Sequence, residues 1–226
     1  MAERVKFASA DGATAEGLLG LPTTTAPTGS VVLLHEWWGL NGHIASLVDR
    51  LAAAGFVVLA PDLYGGKVAT SPDEAAGLMT ALSWSAALTV IEGAVAHLRG
   101  LPRSNGRVGV TGFCMGGAGT FVVAARVQGL AAAVPFYGLA PAQYVDWDTA
   151  ETPPIQAHFS NRDAFAPAER AEALMAKLHA RGRTMELHRY DADHAFVNDT
   201  RPDVYDPECA ARAWGRMVAF LHAHLD

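Results

Sequence analysis

The sequence predicts an α/β fold, with a mostly parallel central sheet, helices on both faces and an N-terminal β-hairpin. Three observations carry this. Short apolar runs bounded by turn residues, such as Val31-Val32-Leu33-Leu34 and Phe56-Val57-Val58-Leu59-Ala60, read as strands buried on both faces. Segments of helical spacing alternate with such runs along nearly the whole chain, as a parallel sheet requires of its crossovers. Before them, two short alternating stretches flank Asp11-Gly12, a hairpin-turn pair.

Taken in order, Val5–Ser9 and Ala15–Gly20 are the hairpin strands and Pro22–Gly29 a loop. Val31–Leu34 is a strand, Ile44–Ala54 a helix and Phe56–Ala60 a strand. Asp73–Thr80 and Ser83–Arg99 read as helices ending near Gly100 and Pro102. Arg107–Thr111 is the next strand, and a glycine-dense turn leads from it into a helix running to about Gln128. Ala131–Tyr137 and Ile155–Ser160 read as strands, Pro167–Arg181 as a helix with proline at its start, Thr184–Tyr190 as a strand and Pro207–Leu225 as an amphipathic helix. No repeat or linker divides the chain, so residues 1–226 are expected to form one domain.

Composition narrows the function. Half the residues are hydrophobic and 18% charged, a globular rather than disordered balance. With a net charge of −6 and 17 Lys and Arg scattered along the chain, the basic stripe of a nucleic-acid binder is missing. Met1-Ala2-Glu3-Arg4-Val5-Lys6 has no apolar signal core, and no stretch approaches the roughly 20 apolar residues of a membrane span, so the expectation is a cytoplasmic protein without a membrane partner. In that setting Cys114 and Cys209 are expected to be reduced.

Gly112-Phe113-Cys114-Met115-Gly116-Gly117 follows a strand and opens a helix, the context of a G-x-S-x-G nucleophile elbow with Cys in place of Ser. Such an elbow needs small neighbours because its nucleophile sits in a strained turn. It also needs an acid and a histidine, in that order, on later strand-to-helix loops. Asp163 follows the Ile155–Ser160 strand and His194 follows the Thr184–Tyr190 strand. Asp191 and Asp193 are rival acids but lie too near His194 in sequence to orient it from behind. Cys114 is then the nucleophile, His194 its base and Asp163 the residue that holds the imidazole. A thiol at a helix start beside an imidazolium is favoured as thiolate. The oxyanion would be met by the backbone N–H of Met115 and, from the loop Leu34-His35-Glu36-Trp37-Trp38-Gly39-Leu40, by that of Trp37. Trp38, Tyr64, Tyr137 and Phe196 are candidates for an apolar substrate pocket, although each taken alone reads first as core packing.

Five segments together resemble the dienelactone hydrolase family: the Gly-Phe-Cys-Met-Gly-Gly elbow, His35-Glu36-Trp37-Trp38-Gly39-Leu40, Pro61-Asp62-Leu63-Tyr64, Phe136-Tyr137-Gly138 and Asp191-Ala192-Asp193-His194-Ala195-Phe196. The resemblance runs from the hairpin to the last helix. It implies an α/β-hydrolase fold, carboxymethylenebutenolidase-like chemistry on a small ester or lactone, no cofactor, and a triad of Cys114, Asp163 and His194. It also implies a role for Glu36, since the family glutamate at this position contacts the resting thiol and takes part in generating the thiolate; a carboxylate beside a thiol opposes its ionisation until the site is filled.

Family members that open dienelactone bind its carboxylate with arginines, one of them four residues after the catalytic histidine. Asn198 stands there, and Met79–Ala87, where another is expected, holds no Arg or Lys. Asn cannot make a bidentate pair with a carboxylate, so a neutral or differently placed ester, lactone or related acyl substrate is expected, with Asn198 on the pocket. Arg162 could replace the cation, but reads more simply as a solvated loop residue. One other class stays open, a non-catalytic ligand-binding or thiol-sensing protein on the same scaffold. A metal enzyme is set aside and no metal is expected, because Gly39 occupies the second histidine position of H-E-x-x-H and the chain has no Cys-x-x-Cys.

Overall fold

The computed structural model describes residues 1–226. It contains strands β1 (Glu3–Ala8), β2 (Thr14–Gly20), β3 (Thr28–Leu34), β4 (Val57–Pro61), β5 (Ser104–Phe113), β6 (Ala132–Phe136), β7 (Ile155–Arg162) and β8 (Met185–Asp193). Its helices are α1 (Gly42–Ala53), α2 (Pro72–Ala81), α3 (Trp84–Gly100), α4 (Met115–Arg126), α5 (Ala168–His179) and α6 (Pro207–Leu225). The strand order is β1-β2-β4-β3-β5-β6-β7-β8, mostly parallel. The chain divides into two compact units, Met1–Gly109 with Leu225–Asp226, and Val110–His224.

In the first unit β1 and β2 pair antiparallel, from Glu3 with Leu19 to Ala8 with Thr14, around a turn in which Gly12 has φ 85°. β2 runs antiparallel to β4, and β3 parallel to it. Val31–Leu34 and Val57–Ala60 are fully buried, as uninterrupted apolar strands of a parallel sheet should be. The Asn41 side chain accepts from the Ile44 N–H to start α1, whose Ile44, Leu47, Val48 and Leu51 face inward. Ser71 and Ser83 cap α2 and α3 in the same way. No single helix is long and apolar enough to cross a membrane; α2 and α3 together have the length and composition but meet at 85°.

In the second unit β6, β7 and β8 are parallel, with Ala133 opposite Ile155 and Ile155 opposite Met185. The expected elements are present with shifted ends. The strand expected to reach Tyr137 stops at Phe136, because Tyr137 turns to φ 33°. The helix expected to reach Arg181 stops at His179, and Gly182 at φ 72° closes its end by donating to the His179 carbonyl. α4 stops at Arg126 rather than Gln128, three residues before Gly129 at φ 73°.

Candidate active site

Three parallel strands end one residue before the three residues singled out by the sequence. β5 ends at Phe113, β7 at Arg162 and β8 at Asp193, so Cys114, Asp163 and His194 are each the first residue beyond a strand. All three belong to the second unit. Open α/β sheets place ligands beyond the carboxyl ends of their strands, where loops leave room for side chains to converge.

Cys114 has φ 55° and ψ −114°, outside the regions open to an ordinary L-residue. It is held there by two backbone bonds: its N–H donates to the Phe136 carbonyl (3.1 Å), and its own carbonyl accepts from the Ala118 N–H (3.0 Å). Close backbone approach around the elbow is seen at Gly117, in its helix, and at Gly138, just beyond β6. A Cβ on Gly117 would sit 2.0 Å from the Phe136 oxygen, and one on Gly138 2.2 Å from the Cys114 oxygen. Met115 opens α4, so its N–H lies in the first turn, where the helix dipole is positive.

The Asp163 carboxylate is buried and divides its lone pairs. Oδ1 accepts from the N–H groups of Phe165 (2.8 Å) and Ala166 (2.9 Å), and Oδ2 lies 2.6 Å from Nδ1 of His194. Burial alone would raise the Asp163 pKa. The His194 bond and the two N–H donors outweigh it, so the group ends below the usual carboxylate range. His194 is opposed in the same way: burial lowers its pKa, but hydrogen bonds to Asp163 and to Cys114 push it up to about 10. The imidazole therefore bridges the other two members, with Nδ1 committed to Asp163.

Around His194 the backbone is strained again. The non-glycine residues with positive φ are Cys114, Tyr137 and Ala195, the nucleophile candidate, a ring against His194 and its successor in the chain. The Tyr137 ring meets the imidazole edge-on at 5.2 Å and the Phe196 ring at 5.5 Å. Tyr137 and Phe196 are fully buried, so they frame the histidine. Phe165, unremarked in the sequence, lies 5.4 Å from the imidazole with 83% of its surface exposed. Asn198 is buried, and its Oδ1 accepts from the N–H and hydroxyl of Thr200, which fixes the turn after His194.

Arg162 is half-exposed to solvent, at the last position of β7 rather than in the loop beyond it. It pairs with Asp191 and, at 3.1 Å, with Asp193. The rival acids are thus spent on Arg162.

The loop carrying Glu36 and Trp37 lies in the first unit and is built on His35. The Leu63 N–H donates to Nε2 of His35 (3.2 Å), which leaves Nδ1 to donate to the Glu36 carbonyl (2.7 Å). Burial lowers the His35 pKa against that bond and the Asp62 charge, in keeping with a neutral ring. Both nitrogens are thereby used within the loop. The Trp38 carbonyl accepts from the Ala69 N–H, and Gly39, at φ 92°, leaves only 2.6 Å between a hypothetical Cβ and the Lys67 oxygen. Glu36 is 2% exposed, while Trp37 and Trp38 are half-buried with rings 5.1 Å apart. Tyr64 packs its edge on His35 at 4.8 Å and, with Leu63, Leu78 and Leu82, lines a cavity of about 360 Å³ whose one charged wall residue is Lys67.

Comparison with known proteins identifies the family. Residues 15–225 match the model of the dienelactone hydrolase family. "Protein usf" of Aquifex pyrophilus is 34% identical over 234 residues, covering all of both chains. "Carboxymethylenebutenolidase 1" of Cupriavidus pinatubonensis is 31% identical over 232 residues, covering 98% of this chain and 97% of its own. A solved structure from Klebsiella pneumoniae, assigned as a dienelactone hydrolase, superimposes with a TM-score of 0.84 at 26% identity and covers 98% of each chain. A fold of this order, a match across almost the full length and an elbow with its partners at three strand ends lead to one conclusion: the chain belongs to the dienelactone hydrolase family of α/β-hydrolases and is a carboxylic ester hydrolase.

Proposed function

We propose that the chain hydrolyses small, neutral esters or lactones through an acyl-enzyme on Cys114. The observation that carries this is the position of His194, hydrogen-bonded at once to Asp163 and to Cys114. With Nδ1 held by Asp163, Nε2 is the nitrogen that serves the thiol. The Cys114 thiolate attacks the substrate carbonyl carbon, and the tetrahedral intermediate collapses as His194 gives its proton to the departing alkoxide. Water then gives a proton to His194 and attacks the thioester carbonyl, and its collapse returns the thiolate and releases the acid. Asp163 keeps the imidazole in the required tautomer throughout.

The Met115 N–H is one oxyanion donor on this reading, supported by its place at the start of α4. The family resemblance supports the Trp37 N–H as the second donor and Glu36 as the group that restrains Cys114 ionisation. The substrate preference rests on the absent carboxylate partners: Asn198 is turned onto Thr200, and Arg162 is paired with two aspartates. The family match over residues 15–225 supports reading the chain as one catalytic domain, and a nucleophilic thiol suits the reducing cytoplasm.

The test is ester turnover by the purified chain, comparing short neutral aryl esters with dienelactone, together with Cys114→Ala and His194→Ala. Neutral esters should be preferred, and both variants should lose turnover by at least ~10⁴-fold. A marked preference for dienelactone would remove the substrate assignment. Full activity in either variant would remove the mechanism and favour the binding or sensing alternative.

A further inference from the structure

We propose that Arg162 is a positioning residue, which clamps the ends of β7 and β8 so that Asp163 and His194 meet and which occupies two carboxylates that would otherwise compete for the imidazole. The proposal rests on the triad reading above. Arg162 immediately precedes Asp163, and Asp193, directly opposite it in the ladder, immediately precedes His194. The last bridge between the two catalytic loops is therefore the Arg162–Asp193 pair.

The backbone ladder is weakest at this point. Pairing is regular from Ile155 with Met185 to Ser160 with Tyr190, then shifts register between Ser160 and Arg162. A slip there would carry Asp163 past His194 and open the 2.6 Å contact. The guanidinium opposes such a slip because Asp191 and Asp193, two apart on one strand, present their side chains on the same face. The planar fork of arginine engages both at once, through Nη1 and through Nε at 3.1 Å. Lysine, a single point charge, cannot hold both.

The second part of the role is electrostatic. The polar groups around His194 are the Asp163 carboxylate at the end of β7, the Cys114 thiol at the start of α4, the Tyr137 phenol beyond β6 and, on its own strand, Asp193 with Asp191 two residues earlier. Asp191 and Asp193 are exposed or half-exposed and, when unpaired, are free to draw the imidazole away from Cys114. Because Arg162 is 49% exposed, its ion pairs add little to stability, so a kinetic effect is separable from unfolding.

The experiment compares Arg162→Gln, Arg162→Lys and the wild type by kcat and KM on a neutral aryl ester, by thermal melting, and by the His194 imidazole titration followed by NMR without substrate. The expected result for Arg162→Gln is an about tenfold fall in kcat with KM and melting nearly unchanged, and a His194 titration displaced upward. Arg162→Lys should bring the titration back while recovering kcat only in part. Adding Asp191→Asn and Asp193→Asn to Arg162→Gln should bring the titration back without restoring kcat. An unchanged kcat and titration in Arg162→Gln would overturn the proposal, as would a kcat loss matched by a loss of folded protein. Because the titration needs no turnover, it tests Arg162 even if Cys114→Ala proves active and the triad reading fails.

Discussion

Asp62 and Asp163 are built alike and do different work. Each is the first residue after a parallel strand, β4 and β7 respectively, and each is almost fully buried at 8% and 6% exposure. Each collects two backbone N–H groups from the loop it begins. Asp62 spends both oxygens on them, Oδ1 on Tyr64 at 2.9 Å and Oδ2 on Gly66 at 2.7 Å. Asp163 gathers both donors on Oδ1 and leaves Oδ2 for His194. Residue type, position and burial are shared, so the chemistry lies in how the lone pairs are divided. An aspartate with one oxygen in reserve can orient a histidine; one with none can only hold its loop.

The largest test of that contrast is Asp163→Asn. It keeps an oxygen for Phe165 and Ala166 but presents an amide to Nδ1, which favours the wrong tautomer. Turnover should fall by ~10³–10⁴-fold, with the fold retained in a urea melt. The elbow comes next. Gly117→Ala or Gly138→Ala would force a Cβ onto a backbone atom at about 2 Å and should destabilise the protein by roughly 3 kcal/mol or more, again read by urea melt. Asp62→Asn should show the opposite profile to Asp163→Asn: about 1–3 kcal/mol of lost stability, because an amide NH₂ then faces the Gly66 N–H, with kcat close to wild type. Loss of kcat on that scale in a folded Asp62→Asn protein would erase the distinction.

The smallest expected effect is in pH dependence. His194 is raised to about 10, so its pairing contributes stability fully below the unfolded value near 6.5 and loses it as pH rises to about 10. Asp163 is lowered, so its contribution is present above about 3.9 and fades as pH falls through the folded value. Unfolding free energies across pH should show both losses in wild type. Asp163→Asn should flatten the acidic one and move the His194 titration down toward neutrality.

Much of this was legible in the sequence, for identifiable reasons. Cys114 is marked in the sequence by its flanking glycines, and the strand-then-loop punctuation assigns Asp163 and His194 to loops after later strands. Their approach within 2.6 Å follows from β7 and β8 being neighbours in parallel. The division of lone pairs at Asp62 and Asp163 was not legible, because both read as a strand followed by Asp and a turn. Nor was the fate of Arg162. Its partners lie 29 and 31 residues away and are chosen by register, which a single sequence does not print. His35 was hidden similarly, since its ring bonds Leu63, 28 residues on, and Phe165 was hidden because its contact with His194 depends on the Asp163 turn.

The most direct test of the account is to trap the intermediate. The chain is mixed with a short neutral aryl ester, quenched in acid within the first turnovers and digested, and the peptides bearing Cys114 and Cys209 are weighed. The account requires an acyl group on the Cys114 peptide alone, formed with a burst of the aryl alcohol and lost as turnover ends. Steady turnover with Cys114 unmodified and the Cys114→Ala protein still active would contradict it.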